Sequence, residues 1–176
     1  MRRIVIGLAL AALAALAGAA RAEVTDKSAA GFEVTHKVSI AASPDKVWGA
    51  LLRPAKWWSS DHTYSGDAKN LSFDPSGCFC EVLRRGAVRH MMIVYSDEAK
   101  ALRLEGALGP LQMTGATGHL GFALKAAGGG TDLVVTYDVG GYAKGGLAET
   151  YAGPVDKVLG DQIARLKRVA ETGKAE

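Results

Sequence analysis

The chain has 176 residues, 21 of them basic and 18 acidic, for a formal net charge of +3. That length supports one domain of ordinary size with a real core. No block of like charges occurs, which argues against a nucleic-acid partner.

Residues 1–22 read MRRIVIGLALAALAALAGAARA. Two arginines precede an apolar run from Ile4 to Ala20, and Ala20-Arg21-Ala22 supplies the small residues a signal peptidase needs. The pattern predicts a secretory signal peptide cleaved after Ala22, and hence a periplasmic or secreted protein. An uncleaved anchor would fit a run of ~17 residues. The Ala-x-Ala ending and the polar sequence beyond it favour cleavage, leaving no stable membrane span. Cleavage removes Arg2, Arg3 and Arg21 and leaves 154 residues with 18 basic and 18 acidic side chains, so the pI of 8.9 overstates how basic the working protein is.

The polar segment 23–31 reads as a mobile lead, the folded domain as residues 32–171, and residues 172–176 as a tail. Phe32 to Ile40 alternates with period two, with Phe32, Val34, His36, Val38 and Ile40 on one face, as in a half-buried strand. Ser43-Pro44-Asp45 then opens a short helix, with Ser43 as the cap and Pro44 at its first position. A second short turn is expected over Ala55 to Ser59. From Leu71 the pattern returns to strands: Leu71–Phe73, Cys78–Arg84, Ala87–Tyr95, Ala101–Leu108, Thr114–Ala126 and Thr131–Tyr142, separated by turn-forming residues. Val155, Val158, Leu159, Ile163, Leu166 and Val169 then repeat at helical spacing within a last helix from Leu147 to Glu171, with Pro154 expected to kink or restart it. No internal repeat or second domain is visible. The fold class is α+β: about seven antiparallel strands in a curved sheet, two short helices after the first strand, and a long C-terminal helix. That helix must bury its apolar stripe, and the sheet face is the surface available. A cavity between the two would suit an apolar ligand.

The Ser43-Pro44-x-x-Val47-Trp48 helix start, the Trp57-Trp58 pair, the element order and the Pro154 helix resemble the SRPBCC (START-like, helix-grip) superfamily. WWSSDHTYSG, VRHMMIVY, LEGALGPLQ and GGGTDLVVTYDVGGY are similar to exported members of its polyketide cyclase and heat-shock-ATPase-activator-like branch. The resemblance covers residues 32 to 171 and implies a helix-grip fold. It spans lipid carriers, receptors, cyclases and chaperone activators, so fold does not choose among them. An exported chain would be out of reach of a cytosolic chaperone.

Several residues carry chemistry, each beside a plainer role. Adjacent residues point different ways, so at most one of Trp57 and Trp58 is expected in the core, with the other on a surface patch or a ligand-contacting wall. His62 lies beside Asp61 and fits either a general base or a hydrogen-bonded loop anchor; no tight metal-ligand spacing surrounds it. His90 is expected to share a strand face with Val88, Met92 and Val94. A neutral buried imidazole offers one donor and one acceptor, suited to a carbonyl or a hydroxyl on the ligand. His36 reads as a satisfied core histidine. Glu81 lies on the opposite strand face from Cys78 and Cys80, and alternation leaves open which face points inward. If it is the face of Glu81, a cavity carboxylate with a raised pKa follows. His62, Glu81 and His90 are thus the catalytic candidates.

Cys78 and Cys80 would stand ~6.8 Å apart in a regular strand, so a bridge needs a bulge or turn at Phe79. Two buried thiols or a structural bridge are the readings, ahead of a redox or metal centre. The Gly-rich stretches 128–130 and 140–146 lack the phosphate-cradling forms, and with no tight ligand spacing at His62 and no cysteine beyond the CxC pair, no cofactor and no metal is expected. Binding or carriage of a small hydrophobic or amphipathic ligand is the favoured function. Its expected contacts are Trp57, Trp58, His62, Tyr64, His90, Met92, Leu104, Phe122 and Tyr137. The alternative is a cyclase or dehydratase acting in the same cavity. A protein partner is not specified by the sequence.

Overall fold

The computed structural model describes residues 21–74 and 77–176. The leader expected over residues 1–22 lies outside them up to residue 20. The strands are β1 (Arg21–Ser28), β2 (Gly31–Ile40), β3 (Leu71–Asp74), β4 (Cys78–Leu83), β5 (Gly86–Asp97), β6 (Ala101–Gly106), β7 (Gly115–Ala127) and β8 (Gly130–Tyr142). Among the described residues two α-helices accompany them, α1 (Pro44–Leu51) and α2 (Leu147–Thr172). All eight strands form one antiparallel sheet in the order β1-β2-β8-β7-β6-β5-β4-β3. The chain therefore starts at one edge and crosses by α1 and residues 52–70 to the far edge. It then meanders back until β8 pairs with β2. This is the α+β helix-grip architecture.

Local chemistry explains the elements. Ser43 Oγ accepts from the Lys46 amide at 3.4 Å and Pro44 occupies the first helical position, so α1 starts where the cap dictates. Val34, His36, Val38 and Ile40 of β2 turn inward, opposite Leu133, Val135 and Tyr137 of β8 and beside Leu120 and Phe122 of β7. α2 lies over this face with Leu159, Ile163, Leu166 and Ala170 buried. It runs through Pro154 as one helix, although at the eighth position the ring removes the hydrogen bond to the Thr150 carbonyl.

Two expectations are corrected here. The segment 23–31 is not a loose lead: residues 21–28 pair with β2, register Val24 to Val34, as an edge strand. Val24 packs against the core within an otherwise polar run, so no alternation announced the strand. The tryptophans are both buried, Trp57 at 2% exposure and Trp58 at 7%. The pair sits between two 3-10 turns, 54–56 and 60–62, so strand-like alternation does not apply. Trp57 turns back to donate its Nε1–H to the Leu51 carbonyl at 3.2 Å, and the two rings tilt against each other at 5.4 Å.

Candidate functional site

A cavity of about 380 Å³ opens where His90 of β5 and the segment Leu108 to Leu111 face the first half of α2. That volume lies within the range of small-molecule sites, ~300–1,000 Å³. Residues 58–64 form one wall, including Trp58, His62 and Tyr64; Leu108 to Leu111 form the opposite lip; Tyr151, Pro154, Val155, Val158 and Leu159 of α2 form the roof. His90 is the polar side chain on the β5 side.

The walls are fixed by hydrogen bonds that spend several polar groups of the loops. Ser59 donates its amide to Gln162 Oε1 at 2.7 Å, and Arg165 Nε donates to the Trp57 carbonyl at 2.8 Å, so α2 fastens the tryptophan loop. Trp58 Nε1 donates to the His62 carbonyl at 2.9 Å, which leaves its ring apolar toward the cavity. Across the mouth, Tyr64 Oη donates to the Gly109 carbonyl at 2.9 Å. Behind the lip, Tyr137 Oη takes the Leu108 amide and donates to the Gly106 carbonyl, each at 3.1 Å. Burial pushes the Tyr137 phenol up to about 12, so it stays neutral.

His90 reaches the cavity because β5 is irregular. Phe79 pairs with Met91 and Cys80 with Arg89, so His90 is the extra residue of a bulge. A bulge re-aims the side chain it carries. Both His90 and Met91 are consequently buried, and the expected grouping of His90 with Val88, Met92 and Val94 fails. Gly106 makes room on the β6 side: its φ is +146°, and a Cβ there would stand 2.9 Å from the His90 carbonyl oxygen. On the β4 side, Cys78 and Cys80 form a disulfide with Cα atoms 5.4 Å apart, contracted from strand spacing at the bulge. Phe79, held between them, touches Trp58 at 5.4 Å and His90 at 5.0 Å between ring centres.

Glu81 points inward and is fully buried. His90 Nε2 lies 3.0 Å from its Oε2, which also accepts the Tyr64 amide at 3.1 Å; Oε1 accepts the Ser65 amide. Burial acts to raise its pKa, but the hydrogen bonds from Ser65, Tyr64 and His90 outweigh it, and the net shift is downward. This corrects the expected raised value: alternation does not reveal that a loop would deliver two amides to the carboxylate. Burial likewise lowers the pKa of His90, against the opposing pull of Glu81. The pair is therefore a carboxylate and a neutral imidazole. The carboxylate oxygens accept, so the proton of the imidazole sits on Nε2. Nδ1 is left as a lone pair without a protein partner among the described residues. It is not sealed off: the buried polar atoms without partners are His36 Nε2, Asp156 Oδ1 and Gln162 Nε2.

Of the residues expected to touch a ligand, Trp58, His62, Tyr64 and His90 line this cavity. Trp57, Leu104, Phe122 and Tyr137 are core residues outside it, and Met92 is half-buried outside it. The lining of this cavity differs from the expected one at these five positions, because the opening is formed by loops and the start of α2 rather than by the sheet face. Among the three catalytic candidates, Glu81 and His90 are joined, while His62 stands exposed at the rim. The lip 109–113 is a 3-10 turn rather than a simple break between strands; Gly109, at φ +53°, followed by Pro110 opens it. Among the described residues no group of three or more His, Cys, Asp or Glu could hold a metal.

A family model described as polyketide cyclase / dehydrase and lipid transport matches residues 31–171. The chain belongs to that family. Membership supports a ligand-binding or cyclase-type role and agrees with the SRPBCC resemblance. A conserved protein of unknown function from Enterococcus faecalis, EF2215, superposes with a TM-score of 0.60 at 19% identity, covering 89% of this chain and 80% of its own. MLL2253 from Mesorhizobium loti gives 0.55 at 17%, covering 78% and 95%. The Aha1 dimer from Colwellia psychrerythraea gives 0.51 at 18%, covering 81% and 98%. These likenesses establish the fold. No curated protein matches the chain.

Proposed function

We propose that this family member binds a small hydrophobic or amphipathic molecule in the cavity between α2, the tryptophan loop and His90 of β5. The observation that carries this reading is the cavity itself. About 380 Å³ is bordered by Trp58, Leu111, Val155, Val158 and Leu159, and the Trp58 indole N–H and Tyr64 hydroxyl beside it are already paired. Such a space gains from filling by apolar surface, at roughly 25 cal/mol per Å² removed from water. Native mass spectrometry of protein isolated from its own host tests it. A releasable small molecule is expected; a bare chain that also binds no apolar probe would contradict it.

A second reading is favoured by the Glu81–His90 pair: acid-base catalysis of the cyclase or dehydratase type. His90 Nδ1 would take a proton from the bound molecule, and Glu81 would steady the resulting imidazolium. Turnover of the co-isolated molecule, abolished in His90→Phe, is the expected sign; binding with the ligand recovered unchanged would count against it.

We place the protein outside the cytoplasm. Support comes from the pattern of residues 1–22 and from the Cys78–Cys80 disulfide, a bond that persists in oxidising compartments. Intact mass after expression in a secreting host should show loss of residues 1–22; retention of the full leader would contradict export.

A further inference from the structure

On the basis that the cavity is a ligand site, we propose that its ligand carries a neutral hydrogen-bond donor, an alcohol or phenol hydroxyl, that binds His90 Nδ1, and that carboxylate ligands are rejected. A neutral imidazole in the abstract can serve a carbonyl or a hydroxyl equally. Here the choice is made by what Glu81 does. Its two oxygens take the amides of Tyr64 and Ser65, which can only donate, and the remaining capacity of Oε2 faces His90 Nε2 at 3.0 Å. That arrangement calls for the proton on Nε2. The depressed pKa of Glu81, carried by those hydrogen bonds against burial, agrees with it. Nδ1 then offers the cavity a lone pair and no donor.

The Trp58 indole N–H is given to the His62 carbonyl, and the Tyr64 hydroxyl proton to Gly109. Among the other lining side chains that could donate, His62 stands exposed at the rim and Thr63 gives its hydroxyl to the Ser60 carbonyl. Tyr137 spends its hydroxyl on Gly106 behind the lip. A carbonyl or carboxylate at the His90 end would meet a lone pair and, behind it, the ionised Glu81. A hydroxyl would complete a chain of hydrogen bonds that starts on the loop amides and ends on the ligand.

The test compares three probes with one skeleton by titration calorimetry at neutral pH: 2-naphthol, its methyl ether 2-methoxynaphthalene, and 2-naphthoate. 2-Naphthol should bind about tenfold tighter than the ether, the worth of one neutral hydrogen bond in an apolar site. 2-Naphthoate should bind more weakly than the ether. In His90→Phe, which keeps an aromatic ring against Phe79 and Tyr64, the advantage of naphthol over its ether should vanish while the ether still binds. Equal or tighter binding of the ether or the naphthoate by the unaltered protein would overturn the donor requirement and leave the cavity reading intact. Failure of all three to bind would overturn both. The probe series on the unaltered protein decides the matter even where the variant folds poorly.

Discussion

Two buried histidines face inward from this sheet, each about 3 Å from a carboxylate, and they differ in almost everything else. His36 on β2 lies under α2, its Nε2 3.1 Å from Asp156 Oδ1, yet neither atom makes a hydrogen bond of proper geometry. His90 on β5 is bonded to a carboxylate that two loop amides also hold, and it borders a cavity. Burial lowers the pKa of both against the pull of the acid. Histidine, carboxylate and burial are therefore common to a packing site and a candidate functional site. What separates them is whether the carboxylate is fixed from behind and whether the free nitrogen has somewhere to face.

Removing each acid should expose this difference most sharply. Glu81→Leu removes a fully buried carboxylate that holds His90 and two part-buried amides, each bond to the charged group worth about 1–3 kcal/mol, so urea denaturation should show a loss of about 3 kcal/mol or more. Asp156→Ala removes an acid on a partly exposed helix face whose Oδ1 accepts no bond, and should cost under about 1 kcal/mol. Equal losses would erase the distinction. Next in size is Gly106→Ala, which forces a side chain against the β5 backbone at positive φ and should cost about 2 kcal/mol. It should also displace the ring resonances of His90 but not those of His36.

How much of this was legible in the sequence follows from the same two residues. β2 alternates cleanly, so the inward face of His36 and its role in packing were readable. The long apolar stripe of α2 and most strand limits from Leu71 onward were readable for the same reason. His90 was not: one extra residue in β5 breaks the alternation, and no local signal marks it. The inward face of Glu81 was a coin-toss from alternation, and its low pKa depends on amides seventeen and sixteen residues away in sequence. The CxC spacing did hold a clue. A bridge required a distortion at Phe79, and the distortion lies there, opposite His90.

That link gives a third prediction. Replacing both cysteines by serine removes a very short closed loop, worth about 1.5 kcal/mol on chain-entropy grounds. Two-dimensional NMR should then show changes concentrated at Phe79, His90 and Trp58, with His36 unmoved; a uniform response across the sheet would contradict a local role.

Acid should act on both histidines. Each has a folded pKa below its ordinary value of 6.5, so the stability each carries is complete above 6.5 and is lost as pH falls through the depressed folded value. Denaturation midpoints should therefore fall on acidification from neutral. His36→Phe should flatten that fall and leave probe affinity unchanged, whereas His90→Phe should alter both. The smallest expected effect is Tyr64→Phe. It cuts the clasp to Gly109 across the cavity mouth, costing under about 1 kcal/mol and speeding probe release a few-fold in stopped-flow measurements.

The most direct test is a long-range proton–nitrogen correlation spectrum of the histidine rings, recorded with and without 2-naphthol. The expected result is a His90 ring protonated on Nε2 and bare on Nδ1, with Nδ1 shifting as the probe saturates and His36 still. A His90 proton on Nδ1, or a ring indifferent to a bound probe, would contradict the account.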